Sequence, residues 1–465
     1  MTYTRRDALA LAGGATLAAA LPRGLAAAPE PAMERLVART ASTQFAPEGY
    51  PATEIWGYDG LIPGRTLRQP QGSRLRLRFE NELPGASSVH WHGIRVDNAM
   101  DGVAGVTQPA VAPGDSFDYD VRLPDAGTFW YHAHTRSVEQ VARGLYGALV
   151  VDEAEGPDVD RDEVLILDDW LIDPETAQID ADFASPHDRT HAGRRGNFIT
   201  VNGAADFALP AKRHERLRLR LVNAANARIF EVALAGLAGW TMALDGMPLE
   251  TPEAMTGSLL LGPGQRADLI VDVIAGDGET ADLAMVDRQG AVSLVPLPVS
   301  GTAASERRPA PAQLPPNPGA TRADLGQARP LELNMGGGAM GRLDAAILDG
   351  HRRSFRELVD ANQFWAFNGV VGMTDDPLAT LSLGESARLS IYNDTSFPHA
   401  MHLHGMHFRE VLEGGGLGPS RDTLLMGGGE RREIAFLADN PGKWLFHCHM
   451  LSHAAAGMMT WVEVA

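Results

Sequence analysis

The chain has 465 residues, of which 44% are hydrophobic and 21% charged, a composition typical of a globular protein with sizeable cores. Its formal net charge of −19 argues against nucleic acid or an anionic membrane as a partner, because binders of either usually carry a basic face. A chain of this length predicts about three domains, at roughly 100–200 residues per domain.

Residues 1–28 have the pattern of an export signal. The pair Arg5-Arg6 precedes an apolar run over 8–21, and small residues suited to cleavage follow at 26–28. The run is shorter than the ~20 apolar residues needed to span a bilayer. The arginine pair resembles the twin-arginine pattern, whose route exports folded proteins, although an ordinary secretory signal also fits. We therefore expect a periplasmic protein without a membrane span.

Short segments with alternating apolar and polar residues follow, separated by Gly, Pro, Asn and Asp. Residues 73–85, 215–234 and 386–395 each alternate with period two, as strands with one buried face do. The sequence therefore predicts an all-β protein built of sandwiches.

Composition divides the chain into three blocks. Acidic residues replace apolar ones near 150–163, and 301–330 is an unpatterned Pro- and Ala-rich stretch that we predict to be a linker. Residues 342–365 are the one segment with a helical pattern, predicted to be an insert that either narrows access to a site or only decorates the surface. The predicted domains are 29–154, 155–300 and 331–465.

The first and third blocks resemble each other. SSVHWHGIRV (87–96) corresponds to PHAMHLHGMHF (398–408), and PDAGTFWYHAHT (124–135) corresponds to DNPGKWLFHCHM (439–450). The spacing between the two segments is similar in both blocks, which indicates duplication of one sandwich. The second block lacks these histidines.

Four His-x-His pairs lie in these segments. Residues i and i+2 of a strand point to the same face, so the two imidazoles of a pair converge. One such pair is as easily two polar surface residues, but four pairs in duplicated blocks predict a metal cluster. Imidazoles without carboxylate neighbours suit copper, zinc or iron. The eight candidate ligands are His90, His92, His132, His134, His402, His404, His447 and His449.

Cys448 is the only cysteine of the chain and lies between the two histidines of one pair. Strand alternation puts its thiol on the face opposite to those imidazoles. With His399, His453 and Met458 it completes the ligand set of a blue-copper electron-transfer site. A buried inert thiol is the alternative, and the C-x4-H-x4-M spacing argues against it. The HCH segment thus predicts a direct electron path between two metal sites.

The segments HWHG, WYHAH, PHAMHLHG and HCHMLSHAAAGMM resemble the four copper motifs of the multicopper oxidases, in particular the laccase-like three-domain bacterial group. The resemblance covers essentially the whole chain after the signal. It implies three cupredoxin-like Greek-key sandwiches and four copper ions per chain. It also implies that a reductant gives single electrons to type 1 copper, and that dioxygen is reduced to two waters at a trinuclear cluster between the first and third domains.

The resemblance also implies a ligand for each copper. Type 1 copper would be bound by His399, Cys448, His453 and Met458, type 2 by His90 and His402, and the type 3 pair by His92, His132, His134, His404, His447 and His449.

Asp101 occupies the place of the family's acidic proton relay, nine residues after His92. Capping a turn beside Gly102 is its alternative role. A carboxylate that some relatives carry directly after the last type 1 histidine is missing, because Ala454 stands there. Proton delivery on that side is therefore open.

The resemblance leaves the reductant open. Relatives that oxidise cuprous ion carry a Met-rich insert, whereas this chain offers only Met335 and Met340, and Thr395 and Phe397 precede His399. We therefore expect phenols or aromatic amines, with oxidation of cuprous or another metal ion in copper tolerance as the alternative. A scaffold that has lost catalysis is disfavoured, because all expected histidines and the cysteine are present. We expect a monomer.

The remaining histidines are not predicted to bind metal. His187 and His191 are four residues apart and could share a metal on a helix, but the surrounding Gly and Arg residues favour an exposed loop. No ligand role is expected for His214, His351 and His407.

Overall fold

Residues 33–319 and 322–465 are described in a computed structural model, and the predicted export signal lies outside these ranges. Within them the chain forms 32 β-strands and four short helices, which confirms the all-β prediction. No helix in these ranges is long and apolar enough to cross a membrane. The helices are α1 (Ser137–Ala142), α2 (Pro186–Thr190), α3 (Phe355–Asp360) and α4 (Leu451–Ala455).

Eight strands form a sandwich in the first block. They are β1 (Glu34–Thr43), β2 (Thr53–Tyr58), β3 (Gly64–Pro70), β4 (Arg74–Asn81), β5 (Val89–His92), β6 (Ser116–Arg122), β7 (Gly127–Ala133) and β8 (Tyr146–Asp152). Their order is β2-β1-β4-β6 in one sheet and β3-β8-β7-β5 in the other. Alternate residues of β4, such as Leu75 and Leu77, are buried in a core that also contains Leu149 of the second sheet. This is the one-faced burial that period two predicts.

Eleven strands follow in the second block. They are β9 (Arg161–Trp170), β10 (Phe198–Val201), β11 (Ala211–Arg213), β12 (Arg216–Asn223), β13 (Phe230–Ala235), β14 (Leu237–Leu244), β15 (Met247–Ala254), β16 (Leu259–Leu261), β17 (Arg266–Val273), β18 (Thr280–Asp287) and β19 (Gly290–Thr302). They form the sheets β10-β9-β12-β17-β14-β15 and β11-β19-β18-β13-β16. The prediction of one buried face is wrong for β12, which is buried on both faces. Its arginines are buried because they pair with acids, such as Arg218 with Asp268 at 2.6 Å.

The third block repeats the two-sheet arrangement with thirteen strands. They are β20 (Arg329–Gly337), β21 (Ala345–Leu348), β22 (His351–Ser354), β23 (Trp365–Phe367), β24 (Ala379–Leu381), β25 (Ser386–Asn393), β26 (His399–Leu403), β27 (Phe408–Val411), β28 (Leu417–Arg421), β29 (Thr423–Met426), β30 (Arg431–Leu437), β31 (Gly442–Cys448) and β32 (Met459–Val464). Two sheets have the orders β23-β20-β25-β30-β27-β28 and β24-β32-β31-β26-β29, and β21 pairs with β22.

The helical prediction for 342–365 is wrong over most of its length. The segment begins with the β21-β22 hairpin, and only α3 is helical. Asp349 and Gly350, both with positive φ (52° and 73°), form the two-residue connection, and an Asp-Gly pair is a strong hairpin signal. Helix α3 starts at Ser354, whose side chain forms a capping box with Glu357. Turn chemistry therefore outweighs the helical spacing of the apolar residues.

Gly102 allows a loop to pass close to β5, the strand that carries His90. A Cβ atom added at Gly102 would lie 1.8 Å from the carbonyl oxygen of Val89, whereas one at Gly105 meets nothing within 4 Å. The two glycines have almost the same φ, +81° and +80°. We expect Gly105→Ala to lower the free energy of unfolding by about 1–2 kcal/mol, the cost of the left-handed conformation alone.

We expect Gly102→Ala to be clearly more destabilising than Gly105→Ala, because its methyl group also forces β5 to move. Denaturant unfolding of both variants measures the difference. Equal losses of stability would contradict a steric role for Gly102.

Candidate metal centre

Four strand segments bring the predicted ligands together. In the first block β5 pairs with β7 so that His90 lies opposite His132. In the third block β26 pairs with β31 so that His402 lies opposite His447, and Met401 lies opposite Cys448. The strand register itself therefore places the His-x-His pairs side by side within each block.

The imidazoles of the two blocks meet in the interior. The ring centroids are 4.0 Å apart for His90 and His404, and 3.7 Å apart for His92 and His402. The structure thus brings all eight candidate ligands into one cluster that neither block forms alone. Five further inter-block ring pairs have centroid distances of 4.9 to 5.8 Å, among them His132 with His449 (5.2 Å) and His134 with His447 (5.5 Å).

Hydrogen bonds to main-chain carbonyl groups orient four of these rings through Nδ1. The bonds join His90 to Asp101 (2.8 Å), His402 to Asp422 (3.0 Å), His447 to Cys448 (2.9 Å) and His132 to Ala133 (3.1 Å). A carbonyl oxygen only accepts, so each Nδ1 carries the proton and the neutral ring keeps its lone pair on Nε2. The rings are therefore prepared as metal ligands.

Two buried carboxylates orient further rings. Nδ1 of His404 donates to Oδ2 of Asp101 at 3.0 Å, and Nε2 of His92 donates to Oδ1 of Asp422 at 3.1 Å. Asp101 also ends the short 3₁₀ turn at Asn98–Met100, because its N–H donates to the carbonyl oxygen of Asn98. The turn-ending role and the position beside the cluster thus belong to the same residue.

Several ring nitrogens of the cluster lack hydrogen-bond partners. Among the described residues, Nε2 of His90, Nε2 of His402 and Nδ1 of His92 are buried without a hydrogen bond. Each such atom costs about 1–3 kcal/mol. Nε2 of His404 also lies 3.1 Å from Nε2 of His447, and a metal ion held by both relieves the repulsion of their lone pairs. Most of the converging donors are imidazole nitrogens, with a carboxylate in only one of the groups that could hold a metal ion among the described residues, and this donor set fits copper.

Burial keeps seven of the cluster imidazoles neutral by lowering their pKa values. It lowers the pKa of His447 to about 3, and it lowers the pKa of His92, His132, His134, His402, His404 and His449 below the ordinary value as well. The lone pairs are consequently available at neutral pH.

A second group lies on the other side of β31, around Cys448. Its Sγ is 3.6 Å from Nδ1 of His399 and 3.9 Å from Nδ1 of His453, and the two nitrogens are 3.1 Å apart. Met458 is also fully buried, and its carbonyl oxygen accepts from the N–H of Cys448 at 3.1 Å. Burial raises the pKa of Cys448 to about 12, so a bound cation is needed to hold the thiolate.

Hydrogen bonds also fix the tautomers of the two histidines beside Cys448. Nε2 of His399 donates to the hydroxyl of Thr395 at 3.0 Å, and that hydroxyl donates to Asn393. Nε2 of His453 donates to the carbonyl oxygen of His191 at 2.8 Å. Both Nδ1 atoms therefore keep their lone pairs toward the sulfur.

The ion pair of Arg266 with Asp422 was missed by sequence reasoning. The two side chains are fully buried and share bonds of 2.9 Å (Nη1 to Oδ1) and 2.6 Å (Nη2 to Oδ2). Burial alone raises the pKa of Asp422, but Arg266 and the neighbouring histidines outweigh it and hold that pKa well below its ordinary value. A Cβ at Gly93 would lie 2.2 Å from the guanidinium, which explains the glycine of HWHG. No local pattern marks the partner of an arginine 156 residues away.

The other histidines remain outside these groups. Helix α2, started by Ser185 and Pro186, replaces the loop predicted around His187 and His191, because a Ser cap followed by Pro at the first position favours a helix. His187 is exposed as predicted, whereas His191 is half-buried beside His453. Within the described ranges, His214, His351 and His407 belong to no group of converging ligands.

Comparison with known proteins identifies the family. Models described as multicopper oxidase match residues 39–156, 161–290 and 352–465. The chain belongs to the multicopper oxidase family. The resemblance carried by the four histidine motifs, and the cupredoxin-like fold that it implied, are therefore confirmed.

Individual relatives are similar to this chain in sequence or structure along nearly its whole length. The multicopper oxidase MmcO of Mycobacterium tuberculosis is 30% identical over 96% of this chain and 90% of its own length. A multi-copper oxidase structure from Pseudomonas thermotolerans is 33% identical with a TM-score of 0.81, covering 93% of this chain and 99% of that one. Lac15 from a marine microbial metagenome is 42% identical with a TM-score of 0.75, covering 93% and 100%. The protein is thus a copper-dependent oxidoreductase that uses dioxygen as electron acceptor.

The copper-free oxidase should lose stability as the pH falls below about 6.5. Its buried histidines stay neutral until about pH 3 for His447 and about pH 4 for His453, while the same residues in the unfolded chain take up protons near pH 6.5. The unfolded state then binds more protons, so acid favours unfolding. Thermal unfolding of copper-free protein between pH 8 and 5 tests this, and an unchanged midpoint would contradict it.

Asp422→Asn in this oxidase should reduce both stability and copper content. The amide breaks the bidentate pair of the buried Arg266, whose other acid, Asp245, is 3.8 Å away, and such a break costs about 3–5 kcal/mol. It also removes a carboxylate that orients His92. Glu433→Gln is the control, because Arg388 holds Glu433 in a similar bidentate pair at a partly exposed site, worth at most about 1 kcal/mol. Denaturant unfolding and copper per chain are measured, and equal effects of the two changes would refute the special role of Asp422.

Proposed function

We propose that this multicopper oxidase binds four copper ions at the predicted ligands and oxidises small aromatic reductants. His90 and His402 are assigned to type 2 copper, which their unpartnered Nε2 atoms support. His399, Cys448, His453 and Met458 are assigned to type 1 copper, supported by the convergence of sulfur and two Nδ1 atoms. The type 3 pair is assigned to His92, His132, His134, His404, His447 and His449.

The copper ions, when bound, carry single electrons from the reductant to dioxygen, and the chain supplies the connection between the two sites. Cys448 is covalently joined to His447 and His449 through one peptide unit on each side. The carbonyl oxygen of Cys448 also accepts a hydrogen bond from Nδ1 of His447 at 2.9 Å, which adds a second link. The HCH segment therefore acts as the path between the type 1 residues and the cluster.

Asp101 is proposed to hold and deliver protons for the reduction of dioxygen. Its Oδ2 is bonded to His404, while its Oδ1 is buried without a hydrogen bond, 3.2 Å from Nδ1 of His90. A carboxylate in this position can take up a proton beside the cluster without leaving its place. The position after the last type 1 histidine holds Ala454 and offers no carboxylate. Asp101 would therefore deliver protons only on the side of the cluster where it lies.

The surroundings of the type 1 residues support an aromatic reductant. The indole ring of Trp365 lies 4.6 Å from the ring of His453 and 5.0 Å from that of His399. Met335 of β20 is fully buried in the core and Met340 is 80% exposed, so these two methionines do not offer an accessible pair of sulfur ligands. Phe397 is half-buried, lies 6.4 Å from the fully buried ring of Trp365, and is an aromatic group that a reductant can reach. An aromatic surface suits phenols and aromatic amines better than it suits cuprous ion, which prefers sulfur ligands.

The domain arrangement, the oligomeric state and the cellular location that we propose follow from the predicted organisation of the chain. The blocks 29–154, 155–300 and 331–465, joined through 301–330, are proposed to be three domains, which the separate pairs of sheets support. The ligands of every proposed copper come from one chain, which supports a monomer. Residues 1–28 would send the protein to the periplasm, by the twin-arginine route if copper is loaded before export.

The test is dioxygen uptake by copper-loaded protein with dimethoxyphenol or with cuprous ion as reductant. We expect faster uptake with the phenol, four coppers per chain, and loss of turnover together with the type 1 absorption in Cys448→Ser. That variant replaces the sulfur with little change in volume, so cluster copper should remain. A strong preference for cuprous ion would favour the metal-ion oxidase, and absence of uptake despite four coppers would contradict the oxidase assignment.

A further inference from the structure

The proposed type 1 residues are inaccessible from outside. His399, Cys448, His453 and Met458 each have a relative exposure of 0%. A reductant in solution therefore cannot touch any of them. Its electron has to cross the residues that cover the site, and those residues decide which reductants are accepted.

One polar contact leads outward from this buried group. Nε2 of His453 donates to the main-chain carbonyl oxygen of His191 at 2.8 Å. His191 comes from the second block and is half-buried, so this hydrogen bond joins a buried ligand to a residue that reaches the surface. Gly193, two residues further on, lets this segment pass close to Ala227, because a Cβ there would lie 2.6 Å from Cβ of Ala227.

The imidazole of His191 lies between two other rings. It stacks on His187 with a centroid distance of 4.3 Å and an angle of 11°, and it meets Phe397 edge-on at 5.7 Å. The side chain of His187 is 77% exposed and Phe397 is half-buried. These three rings, called here the aromatic rim, are centred on the residue whose main-chain carbonyl oxygen accepts the hydrogen bond from His453.

The main chain below the aromatic rim is held firmly by the third block. The N–H of Ala339 donates to the carbonyl oxygen of Thr190 at 2.7 Å, and the indole N–H of Trp365 donates to that of Arg189 at 2.5 Å. The side chain of Asn362 donates to Ala184 at 2.9 Å. These hydrogen bonds hold the main chain before α2 and at its end. The aromatic rim is therefore a preformed surface, and a ligand can bind to it without opening of the segment.

We propose that the aromatic rim of His187, His191 and Phe397 is the surface where a planar aromatic reductant docks, and that the electron enters through the His191 carbonyl to His453. This rests on the proposed function, because it requires copper at the type 1 residues. With Cu(II) bound at the type 1 residues, a phenol docked there would give up one electron, which would reduce the ion to Cu(I). The phenol would release its hydroxyl proton to solvent and be left as a phenoxyl radical. Flat rings favour flat reductants because offset stacking and edge-to-face contacts add to burial.

A cavity of about 460 Å³ is the competing entry point. It is lined by Arg136, Phe183, Arg189 and Ala455 among others, and by none of the type 1 residues. Its link to them passes through the Arg189 carbonyl and the fully buried indole of Trp365. The rim has the shorter connection, since a single hydrogen bond separates His191 from His453.

The experiment follows anaerobic reduction of type 1 copper by dimethoxyphenol in copper-loaded protein, using loss of the type 1 absorption in a stopped-flow instrument. We expect His191→Ala and Phe397→Ala to slow reduction at low phenol concentration by about three- to tenfold each, the worth of one aromatic contact. His191→Phe keeps a ring and should restore most of the rate. His351→Ala removes an exposed histidine on the β21-β22 hairpin and should leave the rate unchanged.

A second readout separates docking from a structural role. The type 1 absorption, electron paramagnetic resonance signal and reduction potential should be unchanged in His191→Ala, because the carbonyl that bonds His453 remains. Unchanged rates in both rim variants would overturn the proposal, as would slowing that is accompanied by a shifted type 1 potential. Slowing in Arg189→Leu but not in the rim variants would place the entry at the cavity instead. If the copper-loaded parent protein had no type 1 absorption, the proposed function itself would be refuted. Failure of the docking proposal alone differs from this, because the parent protein then keeps its type 1 absorption.

Discussion

An imidazole can bind a metal only through a nitrogen that carries no proton, and this requirement governs the interior of the protein. Main-chain carbonyl groups fix His90, His132, His402 and His447, while Asp101 and Asp422 fix His404 and His92. The hydrogen bond at one ring nitrogen determines whether the other nitrogen carries a proton or is free to bind a metal. Because the acceptors belong to strands and turns of the sandwiches, correct folding of the main chain and correct protonation of the site are the same event.

The second block contributes to the metal centre although it supplies none of its proposed ligands. Arg266 from β17 holds Asp422 in the third block and also donates to the carbonyl oxygen of Thr128 in the first. The side chain of Gln265 donates to Thr423 at 2.9 Å, next to Asp422. A buried ion pair is expensive to form, so its value lies in fixing one arrangement of the three blocks. The block that supplies none of the proposed ligands thus helps to set the geometry for the two blocks that supply them.

The sequence was informative wherever the chemistry repeats at short range. Period two along β5, β7, β26 and β31 predicted which imidazoles converge, and it predicted that the Cys448 thiol faces away from its neighbours. It failed where a distant partner decides the outcome. In the sequence alone, the arginines of β12 resemble the solvent-exposed face of a strand, because the acidic residues that pair with them are distant in the chain. The importance of Asp422 likewise depends on Arg266, which comes from another block. The helical prediction for 342–365 failed over most of its length for a local reason, since the Asp349-Gly350 turn outweighs the helical spacing of the apolar residues.

The cluster joins residues that are very far apart along the chain. His92 is 330 residues from Asp422, and His132 is 317 residues from His449. Closing such long loops is slow compared with pairing neighbouring strands, so the two sandwiches form before their shared centre does. During synthesis the centre is therefore the last part to exist, and none of its inter-block contacts is available until the third block has left the ribosome. Copper acquisition is consequently a late step in the life of the protein, which separates the moment of metal loading from the folding of the early domains.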